Sequence, residues 1–347
     1  MLYRLTKGVV LGLAAAALAV ACATPPPPPV VREPAEHLPA GADMYLAADL
    51  TRHYEFVLDV FEEAEQLNSD MRRILDNTEH LTIAMRNPPG GGLSGLYVAG
   101  RGKYPVRSYE FGLRVMRLWE RKETRINGRR YHYWRNREDG FQLIFLDDHT
   151  MLFASDGIEL MIDPPGAPGS AHLPATSTLV ALQSTGSQAT PHPVVLADML
   201  ERGMGLFVPE PSNQMVQALP DPRLRVPLVE LALYLSEPGS HMRASAESTG
   251  ASAQNAEGDE DRGPELELSG AMRLEREQDA RVFTVIARLA VIGVASDAGI
   301  PVRRLMETLD IQRDGTVIGF RGIPVGEKVL VRRLGAVLKP PLEEVQE

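Results

Sequence analysis

The chain has 347 residues, 44% of them hydrophobic and 24% charged, values close to globular averages and enough for about two domains of roughly 150 residues. A formal net charge of −10 argues against a general nucleic-acid binder, which needs a basic excess to release phosphate counterions. Cys22 is the only cysteine, so an internal disulfide framework is excluded.

At the N-terminus, Arg4 and Lys7 precede an apolar run from Val9 through Leu18 to Val20. The run is short for a spanning helix, which needs about 20 apolar residues, and the layout is that of a cleaved secretory signal over residues 1–21. The string Leu18-Ala19-Val20-Ala21-Cys22 resembles the lipobox of bacterial lipoproteins, with Ala19 standing where leucine is usual. The resemblance implies a diacylglyceryl thioether on Cys22, cleavage before it, and acylation of the new N-terminus, for example by palmitate. Thiolate is the most nucleophilic side chain near neutral pH, and two or more acyl chains anchor stably where one does not. An ordinary cleaved signal with a chance cysteine is the alternative. Ala23 rather than aspartate follows the cysteine, which in enteric members of that family favours an outer membrane facing the periplasm, with the inner membrane or the cell surface as alternatives. The five prolines from Pro25 to Pro29 make residues 22–37 a semi-rigid polyproline II tether, about 3.1 Å per residue.

The first folded half is expected over residues 38–163. Asp43 to Leu50 reads as a strand, and Thr51 caps a helix carrying Val57, Val60, Phe61, Ala64 and Leu67 on one face. Leu81 to Met85 and Leu96 to Ala99 are strands, and a second helix runs from about Val106 to Arg121. Tyr131 to Trp134, Phe141 to Leu146 and Met151 to Ala154 complete the half. After a linker over 164–193, the second half spans 194–340. It has a helix at Val194 to Arg202, strands at Gly205 to Val208, Val226 to Ser236 and Glu265 to Glu275, and a helix from Gln278 to Ala295. Another helix follows Pro301, and a hairpin turns at Asp314-Gly315. Residues 238–264, rich in small and charged residues, read as a flexible insertion. The fold class expected is α+β, with two related halves. Each would be an antiparallel sheet covered on one face by helices in the βαββαβ order of ferredoxin-like sandwiches, with extra strands.

No catalytic, cofactor or metal site stands out. Gly90 to Gly95 matches dinucleotide-binding spacing but follows two prolines and precedes a strand, so a hairpin loop is the better reading. Asp147, Asp148 and His149 are metal-ligand types, yet adjacent side chains on a turn diverge. His132 is expected on a strand edge. The helix carrying Val282, Phe283, Val285, Ile286, Leu289, Val291 and Ile292 is read as a buried core helix, with membrane insertion as the alternative.

One charge feature does stand out. Arg101, Lys103, Arg107, Arg114, Arg117, Arg121, Lys122, Arg125, Arg129, Arg130, Arg135 and Arg137 crowd a single segment of an acidic chain. Arg114, Arg117, Arg121, Lys122, Arg125, Arg129 and Arg130 are the candidates for contact with anionic envelope components. A solvated helix face with ion pairs to the acidic first helix is the bland alternative. The expected function is therefore a non-catalytic, membrane-anchored envelope lipoprotein acting as a binding or scaffold module, in some envelope protein complex. Two other readings stay open. One is a carrier of lipid or hydrophobic ligand, which an apolar cavity would favour. The other is a hydrolase of envelope polymers, which two close carboxylates in a cleft would favour.

Overall fold

Strands that are apolar on both faces need cover on both faces, and this governs the architecture. A computed structural model describes residues 32–65, 67–86, 95–163, 192–209, 211, 228–237, 265–297 and 302–338. The signal sequence, Cys22, most of the tether, most of the Gly90–Gly95 loop, nearly all of the linker and the 238–264 insertion lie outside the described residues. Residues 33–347 form one compact unit.

That unit begins earlier than its hydrophobic pattern suggests. Pro34–His37 is a 3-10 turn with reciprocal capping by Glu33 and Glu36. Ala35 and Leu38 are buried in the core, and His37 Nδ1 lies 3.0 Å from the carbonyl of Met161. The tether therefore ends about four residues before His37, because these apolar side chains have a sheet to pack on.

The strands are β1 (Met44–Asp49), β2 (Thr78–Met85), β3 (Leu96–Gly102), β4 (Trp119–Ile126), β5 (Arg129–Asn136), β6 (Gln142–Phe145), β7 (Thr150–Ala154), β8 (Met204–Pro209), β9 (Leu228–Ser236), β10 (Glu265–Leu274), β11 (Asp310–Asp314) and β12 (Val317–Gly326). The described helices are α1 (Leu50–Glu63), α2 (Ser69–Leu75), α3 (Val106–Val115), α4 (Glu159–Ile162), α5 (His192–Arg202), α6 (Glu277–Asp297), α7 (Val302–Thr308) and α8 (Glu327–Leu338). The fold class is thus α+β. All twelve strands of the described residues belong to one sheet in the order β11-β12-β10-β9-β8-β1-β2-β3-β7-β6-β5-β4, and every pairing among them is antiparallel.

Two sheets were expected, and one is found, because β1 pairs with β8 through Tyr45↔Phe207 and Leu46↔Leu206. Their rings stack with centroids 6.2 Å apart, so a single core runs across the join. Helices also cover both faces rather than one. Alternation along β1 and β3 sends Tyr45, Ala47, Tyr97 and Ala99 to the face holding the 3-10 turn, α4 and α5. The opposite face carries α1, α2 and α8 through Phe56, Val57, Leu75 and Leu330. Helices α6 and α7 pack on that same side over β10 and β12.

Local signals account for two further differences. The side chain of Asp49, not Thr51, caps α1, its Oδ1 accepting from the Thr51 amide at 2.9 Å and the Thr51 hydroxyl at 2.6 Å. The second helix stops at Val115 rather than Arg121, since Met116 takes extended dihedrals. The residues after it form β4, joined to β5 by the two-residue turn Asn127-Gly128. Both turn residues have positive φ, 51° and 78°, as a type I′ hairpin requires.

Candidate functional site

The end of the sheet formed by β2, β3, β7 and β6 is not packed solid. Between it and helices α2 and α3 lies a half-open cleft of about 260 Å³. Its floor comes from alternate residues that the register places on one face: Ile83 opposite Val98, Val98 opposite Phe153, and Phe153 opposite Leu143. Its roof is Ile74 of α2 with Leu113 and Met116 from α3 and the turn after it, and Trp119 closes one side. Asp70 is the one carboxylate in the lining.

Aromatic groups brace the cleft. Tyr109 on α3 stacks on Phe145 at 5.4 Å and 17°, and its hydroxyl donates to the Arg73 carbonyl at 2.8 Å, which ties α3 to α2. Tyr104 lies beneath, its hydroxyl 3.0 Å from Thr78 Oγ1, and burial pushes its pKa up to about 12. Gly100 makes room for it, since a Cβ there would sit 2.5 Å from the Tyr104 hydroxyl. The roof itself is weak. Helix α3 has ten residues, has Pro105 at its N-cap and so no side-chain cap, and contains Gly112, which in a helix interior costs about 1 kcal/mol relative to alanine. Phe111, Val115, Met116 and Leu118 are exposed on or just after it, Phe111 at 67%.

Three residues of the arginine-rich segment lie one or two positions from lining residues of this cleft. Arg114 lies on α3 beside Leu113, Arg117 in the turn beside Met116, and Arg121 on β4, on the same face as Trp119; all three are exposed. No ion pair holds any of them among the described residues. The rest of the segment behaves differently. Lys122 faces the other side of β4 and binds Glu120 at 2.8 Å; hydrogen bonding from Lys122, with the charges of Lys122 and Arg137, holds the Glu120 carboxyl below the usual range. Arg125 and Arg130 share Glu123 at 3.8 and 3.7 Å, and Arg129 is exposed at the hairpin end. Those ion pairs therefore go to acids within the β4–β5 hairpin and not to α1. His132 is exposed on β5.

The other sequence candidates serve local structure. Asp147 Oδ1 accepts the amides of His149 and Thr150 at 2.8 and 2.7 Å. His149 Nδ1 lies 2.9 Å from the Gly102 carbonyl, and the Asp148 carbonyl accepts from the Tyr104 amide. These contacts fasten the β6–β7 turn onto the end of β3. No three His, Cys, Asp or Glu side chains among the described residues are grouped to hold a metal ion. Among the side chains described on helix α6, Ala280 and Ala287 are buried, but Val282 and Val285 are 62% and 63% exposed. No described helix is long and apolar enough to cross a membrane.

No protein family and no curated protein matches the chain. Solved structures do. Crystal form III of the protein TP0453 superposes with a TM-score of 0.52 at 13% identity, covering 88% of this chain and 99% of that one. Crystal form IV gives 0.51 at 14% identity, with coverage of 89% and 98%. At such identity the likeness is one of fold.

Proposed function

We propose that this protein is a lipid-anchored, non-catalytic component of a bacterial cell envelope that binds an anionic amphiphile. The apolar tail would enter the cleft under α3, and the headgroup would lie against Arg114, Arg117 and Arg121. The observation that carries the reading is this juxtaposition: an apolar cleft whose lining residues Leu113, Met116 and Trp119 each have an exposed arginine one or two positions on, without an acid partner among the described residues. Each methylene buried contributes about 0.8 kcal/mol, so roughly six of them give about 5 kcal/mol before ordering costs. Each cation near an anionic surface adds about 1 kcal/mol. A plain scaffold needs neither the cleft nor the unpaired arginines, so the carrier version of the binding module is preferred. The hydrolase alternative has less support, since Asp70 in this cleft is not accompanied by a second carboxylate.

Two finer readings belong with this proposal. The anchor is the lipid on Cys22, with the outer membrane facing the periplasm as its place. Metabolic labelling with radioactive fatty acid tests it: the native chain should incorporate label and Cys22→Ala should not. Label in the variant, or none in the native chain, contradicts the anchor. The second is that the chain is built of two related halves. Each follows a three-strand run, β1-β2-β3 or β8-β9-β10, with a helix and a return in which the last strand, β7 or β12, pairs with the third.

A further inference from the structure

The far end of the sheet, on the opposite face, holds a second cleft of about 350 Å³, and its chemistry is polar. It is built by four neighbouring strands, β9, β10, β12 and β11. Register places Tyr234 opposite Ser269, Ala271 opposite Gly319, Gly319 opposite Gln312, and Arg321 opposite Asp310. Opposed residues share a face, and so do residues two apart. The floor is therefore made of a serine, an alanine and a glycine, which leaves room above the sheet, and the far rim is polar.

Two side chains point to a ligand. Ser269 is 5% exposed and lines the cleft, yet its hydroxyl has no hydrogen-bond partner among the described residues; a buried group left in that state costs about 1–3 kcal/mol. Arg202, at the end of α5, lies with its guanidinium carbon 4.6 Å above the centre of the Tyr234 ring, and Asp198 takes only its Nε, at 3.1 Å. That contact and the stacking fix the plane of the guanidinium and leave its Nη edge without a partner among the described residues. A fixed, planar guanidinium edge suits a carboxylate, which it binds by two parallel hydrogen bonds. On the far rim, Arg321 is already occupied: Asp310 Oδ2 accepts from its Nε and Nη2 at 2.9 and 2.7 Å and from Gln312 Nε2 at 2.9 Å. Arg202 is ion-paired to Asp198 through Nε alone, so one guanidinium edge of the described lining is open, which suits a ligand with one carboxylate and hydroxyl groups for the remaining polar lining.

We propose that this cleft binds a sugar acid: a ring-sized, hydroxylated molecule whose single carboxylate lies on the Arg202 fork and one of whose hydroxyls bonds Ser269. The volume falls at the lower end of small-ligand sites, which run from about 300 Å³ upward. This site is independent of the apolar cleft and of the lipid anchor.

The test is calorimetric titration of the lipidated full-length chain, in phosphatidylcholine vesicles, with glucuronate, glucose and inorganic phosphate. Saturable binding of glucuronate is expected, with glucose and phosphate each weaker by about tenfold or more, a difference of one charge-assisted contact. Ser269→Ala should raise the melting temperature, because it removes the unsatisfied hydroxyl, and yet weaken glucuronate roughly fivefold. Arg202→Lys, which keeps the charge and loses the fork, should weaken it about tenfold. Absence of saturable glucuronate binding overturns the proposal. So does equal binding of phosphate, or unchanged affinity in both variants. A Ser269→Ala chain that is more stable and binds as well as the native one would leave that hydroxyl a purely structural feature and overturn its role as a contact.

Discussion

The two clefts occupy opposite faces and opposite ends of one sheet, and they are made by opposite means. At the β2–β3–β7–β6 end, the sheet presents Val98, Phe153 and Leu143, and the space arises because a short, weak helix roofs large side chains incompletely. At the β9–β10–β12–β11 end, the sheet presents Ser269, Ala271 and Gly319, and the space arises because the side chains themselves are small. The first selects by apolar area and can widen with its roof. The second selects by fixed hydrogen-bonding groups on a rigid floor. The same β scaffold therefore supports an adaptable apolar site and a rigid polar one, according to what period-two alternation places on a face.

That contrast can be broken most strongly at its charged border. Reversing Arg114, Arg117 and Arg121 to glutamate in the Cys22→Ala chain should weaken association with phosphatidylglycerol vesicles by roughly 100-fold or more, taking about 1 kcal/mol per cation. The same change at Arg125, Arg129 and Arg130 should do much less, since Glu123 already balances two of them. Sedimentation with vesicles reads both, and equal effects would dissolve the distinction between paired and unpaired arginines. Next in size, Val98→Phe fills the apolar cleft from its floor. Affinity for a medium-chain fatty acid should fall about tenfold, at a packing cost within about 1–3 kcal/mol, while the polar cleft is untouched.

A third prediction concerns what joins the ends. His53, 6% exposed, packs against Gly203 at the start of β8, where an added Cβ would come within 2.3 Å of its Nε2. Burial lowers the His53 pKa against the opposing pull of Asp49 and Glu237. The folded state thus binds fewer protons than the unfolded chain below about pH 6.5, so this contribution to stability is complete above that pH and is lost as pH falls toward the folded pKa. Thermal melts should show a loss below pH 6.5 that is smaller in His53→Gln; an identical slope in the variant would contradict it. The smallest effect is expected at Gly112, where a Cβ meets nothing within 4 Å. Gly112→Ala should stabilise the chain by about 0.5–1 kcal/mol and slow fatty-acid entry in stopped-flow measurements, leaving the polar cleft's kinetics alone.

Much of this was legible before the structure. Apolar alternation located most strands to within a few residues, and Asp314-Gly315 marked its hairpin. Asn127-Gly128 is an equally strong signal, but the arginine and glutamate residues before it are poor strand formers by propensity; they form the edge strand β4, where charge guards against edge-to-edge association. The single sheet was not legible, since the β1–β8 pairing joins residues some 160 apart, and no local pattern specifies such a register. Nor was either cleft. One depends on how far α3 stands off the sheet, and the other on the strand order that brings Ala271, Gly319 and Gln312 into one row, two residues along from Ser269. The arginines were visible as a run, but only their partners separate Arg114, Arg117 and Arg121 from the rest.

The chain's two tryptophans, Trp119 in the lining and Trp134 buried beside it, both report on the apolar cleft. The most direct test is therefore quenching of their fluorescence by brominated dodecanoate, added to the lipidated chain in bromine-free vesicles. Saturable quenching is expected in the native chain, and Val98→Phe should largely abolish it. No quenching, or quenching that is the same in Val98→Phe, would contradict the entry of an acyl chain into this cleft.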